Sequence, residues 1–80
     1  MDYLKKIDDI VKRLEELGHN NEAERIRLLE NAASVGSELL MSVTHELLMF
    51  INIDKQLKNL IGEEVIELKK YCWSIGLNVR

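Results

Sequence analysis

Apolar and polar positions alternate along most of this chain with the period of a helix rather than a strand. Tyr3/Leu4, Ile7, Ile10/Val11, Leu14 and Leu17 recur at steps of three and four, while Lys5, Lys6, Asp9, Lys12, Arg13 and Glu16 fall on the other faces. Such spacing lines one side of a 3.6-residue helix. Gly18 follows where a left-handed residue ends a helix. A second segment starts at Asn20 or Asn21 as its N-cap and carries Glu22 and Glu24 in the first turn, where acids favour the positive end of the helix dipole. Its stripe, Ala23, Ile26, Leu29 and Ala33, is narrow and partly built of small residues.

The third segment is different. Ser34-Val35-Gly36-Ser37 restarts the chain with capping serines and a glycine that admits close approach. Leu39, Leu40, Met41, Val43, Leu47, Leu48, Phe50 and Ile51 then cover about 200° of the circumference. A helix so broadly apolar must be covered on two or three sides, and the pattern predicts that this is the central helix. Thr44 falls inside the arc, where its hydroxyl can bond back to the Leu40 carbonyl. Asp54 is the expected cap of a last helix whose core period runs Leu57, Leu60/Ile61, Val65, Leu68, Tyr71/Cys72 and Ile75. Gly62 lies inside it at a cost of about 1 kcal/mol relative to alanine, and Gly76 stops it before a short tail. The prediction is an all-α protein: one domain, residues 1–80, folded as a compact antiparallel bundle of four helices over about 2–17, 21–33, 35–52 and 55–75. Connections this short force neighbouring helices to run antiparallel.

Composition narrows the function. A net charge of −3, from 11 basic and 14 acidic residues, gives no basic field for phosphates and argues against nucleic acid as the partner. The longest uninterrupted apolar run, Leu47 to Ile51, is far short of the ~20 residues of a membrane span. The first residues carry acids and no signal-peptide core, so the expected compartment is the cytoplasm. His19, His45 and the single Cys72 lie on three different elements without ligand spacing, which argues against a metal site. Ser42 and His45 share a helix face with Glu38 one turn earlier. Three polar residues on a solvated edge are a commoner arrangement than a catalytic triad, and no glycine-rich phosphate loop is present. The chain reads as a binding protein without cofactor, not as an enzyme.

Two places are candidates for the contact. Glu38, Ser42, His45, Met49 and Asn52 project within about 80° of one another along one side of the third helix. Met49, flexible and apolar, stands in the middle of that strip, and methionine suits adaptable surfaces. Trp73 lies on a second stripe with Ile66 and Leu77, off the core line of the last helix. That stripe can pack under the tail, close a homodimer or meet another protein.

Two stretches, "LEELGHNNEAERIRLL" at 14–29 and "SVGSELLMSVTHELLMFI" at 34–51, together resemble a family of very small all-helical bacterial proteins. These are the immunity proteins encoded beside secreted or contact-dependent toxins in bacterial competition. Glu22, Ala23, Glu24 and Arg27 match the first motif, and Ser34, Gly36, Ser37, Glu38, Leu40 and Met41 the second. After Met41 the chain reads Ser-Val-Thr-His, where the family's pattern places a basic or aromatic residue. The resemblance implies a cytoplasmic inhibitor that binds one cognate toxin, often a nuclease with a basic face, and acts by that contact alone. The rival expectation is a self-associating module, a homodimer closed by the Ile66–Trp73–Leu77 stripe. A DNA-binding regulator is a third reading, and no basic recognition helix supports it.

Overall fold

The computed structural model describes residues 2–33 and 36–79. Helices α1 (Tyr3–Glu16), α2 (Asn20–Ala32), α3 (Gly36–Ile53) and α4 (Lys55–Ser74) follow one another with short connections, and no strand occurs among the described residues. Local signals account for most of these limits. The Asp2 carboxylate accepts the Lys5 amide at 3.1 Å and caps α1. Asp54 caps α4 by accepting the amides of Gln56 and Leu57 at 2.9 and 3.3 Å. Gly18 and Gly76 stand at φ +84° and +87°, the left-handed region where a side chain is strained. Each closes a paired C-terminal motif. The His19 amide bonds the Leu14 carbonyl at 2.8 Å and the Gly18 amide that of Glu15 at 3.1 Å; at the second site the Leu77 amide bonds the Cys72 carbonyl at 2.8 Å and the Gly76 amide that of Trp73 at 3.2 Å.

Three local expectations are revised. The N-cap of α2 is His19, which makes no side-chain cap bond, rather than Asn20 or Asn21. The helix starts there because Gly18 has already turned the chain, so the first asparagine is inside it. α4 ends at Ser74, so Ile75 falls past the last core position and is half exposed. Leu17 leaves the core line of α1 in the same way, as its C-cap. The predicted serine cap of α3 rests on Ser34, which lies outside the described residues.

The helices form a ring in which α1 packs on α2, α2 on α3, α3 on α4 and α4 back on α1. Contacts between α1 and α4 fix their direction: Tyr3 stacks on Tyr71 with ring centroids 6.1 Å apart, Lys6 pairs with Glu67 at 2.6 Å, and Arg13 with Glu64 at 2.8 Å. Numbers rise on one helix as they fall on the other, so the pair is antiparallel. These bridges are solvated and each contributes ~0–1 kcal/mol; their value is in register more than stability. The radius of gyration, 11.5 Å, is close to the ~11.6 Å of a compact chain of this length.

One core fills the ring. Ile7, Ile10, Val11 and Leu14 of α1 meet Ala23 and Ile26 of α2, Leu40, Val43, Leu47 and Leu48 of α3, and Leu57, Ile61, Val65, Leu68 and Cys72 of α4. α3 is a member of this ring, not its axis. Its wide apolar arc is covered by α2 on one side, by α4 on the other, and by the segment after Gly76, which folds back so that Val79 is only 3% exposed. Thr44 is the only buried polar residue among those described, and its hydroxyl accepts the Cys72 thiol at 3.7 Å. At the other helix start, a Cβ on Gly36 would lie 2.6 Å from the Tyr3 hydroxyl, so this glycine is the seat of that phenol. No described helix is long and apolar enough to cross a membrane.

Candidate protein-binding surface

The side of α3 opposite its buried residues forms an outer ridge. Glu38, His45, Met49 and Asn52 are exposed along it and Ser42 is half-buried, so the structure does bring these five positions together on one face. Behind them Leu40, Val43, Thr44 and Leu47 are almost wholly buried. The backbone that carries the ridge is therefore fixed by the core, and the ridge side chains are presented from a rigid base. Met49 is 46% exposed.

The ridge continues one residue further than the sequence suggests. Ile53, one turn beyond Met49, ends α3 and is 81% exposed, the most exposed large apolar side chain among the described residues. The predicted helix ended at Asn52 and left Ile53 to the connection. The signal that could have found it is the spacing: Met49 and Ile53 are four apart, on one face, and Ile53 directly precedes the capping Asp54.

A groove lies on each flank. On the α2 side, Asn21, Glu22 and Arg25 of α2 face Glu46, Phe50 and Ile53 of α3, with Asp54 and Leu57 closing the end, around a volume of about 320 Å³. Arg25 Nε bonds Glu46 Oε1 at 3.2 Å across it. On the other flank, near the start of α3, Met41 and His45 face Asn78 and Val79. Below them a larger groove of about 460 Å³ runs along α4, lined by Ile51, Lys58, Gly62, Glu63, Ile66, Glu67 and Lys70.

No family model, curated protein or solved structure matches this chain. The chemistry of the surface itself therefore carries the functional reading. Trp73 is half exposed, but its indole N–H donates to the Val79 carbonyl at 3.0 Å and Lys69 Nζ lies 4.8 Å from its ring centroid. Its polar edge thus holds the returning segment, while more than half of the side chain stays exposed. Through Val79 it also stands beside Met41 and His45. Val79 lines, with Met41, His45 and Asn78, the groove on this flank of α3. Cys72 is buried, and burial pushes its thiol above the ordinary value although the bond to Thr44 opposes this. At neutral pH it is a packed thiol, not a nucleophile. Among the described residues no group of three or more His, Cys, Asp or Glu is placed to hold a metal ion.

Electrostatically the two ends of the ridge differ. Glu22, Glu46 and Asp54 surround the α2-side groove with only Arg25 against them. The last turn of α3 contains no basic residue, so the partial negative charge of the helix end adds to theirs.

Proposed function

We propose that this protein is a cytoplasmic immunity protein that binds one cognate bacterial toxin and blocks it by contact alone, with the α3 ridge as part of the contact. The observation that carries this reading is the ridge itself. Exposed apolar side chains, Met49 and Ile53, alternate with Glu38, Ser42, His45 and Asn52 on a helix whose other side is locked into the core. Holding such side chains on a fixed backbone lowers the entropy lost on binding. The helix order and the two motifs at residues 14–29 and 34–51 support the same reading through the resemblance described above. The acidic balance suits a basic partner, though Asp8 and Glu15 are already neutralised locally by Lys12 and Arg27. Glu22, Glu38 and Glu46 are the acids nearest the ridge and steer association.

The test is co-expression with the product of the gene immediately upstream. Glu38→Lys combined with Met49→Asp should shift Tm by only a few degrees, since both positions are exposed. It should weaken binding, or protection of cells, at least about tenfold, equivalent to 1.4 kcal/mol. A double variant that protects as well as the parent, while Trp73→Ala abolishes protection, would move the contact to α4. The alternative reading, a homodimer, draws on the exposure of Ile66 and Trp73 beside the α4 groove. A solution mass of twice 9.3 kDa, lost in Ile66→Ser, would favour it.

A further inference from the structure

From the end of the ridge we infer that the partner's contacting surface is an apolar socket ringed by lysine or arginine side chains, and that this socket seats Ile53. The inference rests on the proposal that the chain acts by protein–protein contact, and it names the chemistry of what is bound. Ile53 is the first observation. A lone exposed apolar residue is ordinary. Here it is 81% exposed, on the same face as Met49, and it forms one wall of a groove whose other apolar residues are the half-buried Phe50 and the buried Leu57. An aliphatic knob beside an apolar groove has the form of an interface anchor, and anchors at the centre of a contact carry most of its energy.

Charge is the second observation, independent of the first, and it selects the occupant. The groove is ringed by the carboxylates of Glu22, Glu46 and Asp54 against the single guanidinium of Arg25, which Glu46 already pairs at 3.2 Å. The Asp54 carboxylate at this edge accepts two α4 amides. The last turn of α3 carries no basic residue, and the positive end of α4 that starts beside it is already capped by the Asp54 carboxylate. An apolar partner alone would bury these acids without compensation, which is costly. A second copy of this chain would bring acids against acids. A cationic rim around an apolar socket satisfies both features at once, and its attraction falls with added salt. The larger groove on α4 offers no such selection: Lys58 and Lys70 stand against Glu63 and Glu67, and nothing there distinguishes one occupant from another.

The experiment uses the whole protein with methyl-labelled isoleucine and methionine and two synthetic helical peptides. Both peptides carry the same leucine face; one is flanked by lysines and the other by glutamates. The lysine peptide should shift the Ile53 and Met49 methyl signals, bind at least tenfold tighter than the glutamate peptide, and weaken as salt is raised. Ile53→Ser should weaken it at least tenfold while leaving Tm unchanged. Equal binding of the two peptides, shifts confined to Ile66, or no binding of either peptide would overturn the inference. The same labelled protein with the product of the upstream gene separates the two claims. Binding that perturbs Ile66 and spares Ile53 refutes this site and keeps the proposed function. No binding of that product, with the lysine peptide still seated at Ile53, refutes the toxin partner and keeps the site.

Discussion

Val79→Ala tests the least expected packing in the molecule. Val79 is 3% exposed in the core cluster, and its carbonyl accepts the Trp73 indole N–H at 3.0 Å. If the segment stays in place, the variant loses the burial of two carbons, about 1.6 kcal/mol at about 0.8 kcal/mol each, with a small cavity cost in addition. If it lets go instead, the whole valine side chain leaves the core, about 1.5–3 kcal/mol, together with a hydrogen bond worth about 0.5–1.5 kcal/mol. Release also returns backbone entropy, which in the parent falls short of these losses because the segment is packed there. The second route thus limits the damage, and the expected loss is about 1–2 kcal/mol. For a domain of this size that lowers Tm by about 5–15 °C. Thermal and urea unfolding followed by circular dichroism give the loss. The emission of Trp73, the single tryptophan, reports whether the indole has exchanged the Val79 carbonyl for water. An unchanged midpoint with unchanged emission would show that Val79 is not packed. A loss above about 4 kcal/mol would refute the reasoning from the other side, because the segment would then be indispensable to the bundle.

Leu47→Ala, at a side chain with no exposure, should cost about 2–5 kcal/mol, whereas His45→Ala on the exposed ridge should cost less than about 0.5 kcal/mol; equal losses would mean that the faces of α3 are rotated. Gly62→Ala should raise stability by about 0.5–1 kcal/mol, because a Cβ there meets only Lys58 Cγ at 3.6 Å; a lower urea midpoint would contradict the open space. The folded state holds the Cys72 proton more tightly than the unfolded chain, whose thiol titrates near the ordinary 9.0. The stability that this lends is complete below that value and is lost as pH rises above it towards the folded pKa. Cys72→Ala should lack that part of the decline, and parallel curves for parent and variant in unfolding across this window would refute it.

The sequence by itself determined what is local. Four apolar stripes, the cap at Asp54 and the left-handed glycines at 18 and 76 place four helices within about two residues, because helix periodicity and terminal hydrogen bonds act between residues at most five apart. It also placed the strip Glu38, Ser42, His45, Met49 and Asn52 on one face, since a helix turns by a fixed angle. Tertiary structure decided the rest. Val79 looked like a tail residue, and it is in the core because Trp73 and α3 offer it a seat. Thr44 accepts a bond from the Cys72 thiol, 28 positions away, which no local pattern announces. α3 was expected at the centre, yet it joins a ring whose register is set by pairs such as Lys6–Glu67. Ile53 has the composition of a core residue and stands in solvent, because it ends α3 on the outer face that carries Met49. Periodicity fixes the direction in which a side chain points, but whether it meets protein or water there depends on chain segments far away in sequence, and only the packed bundle brings those together.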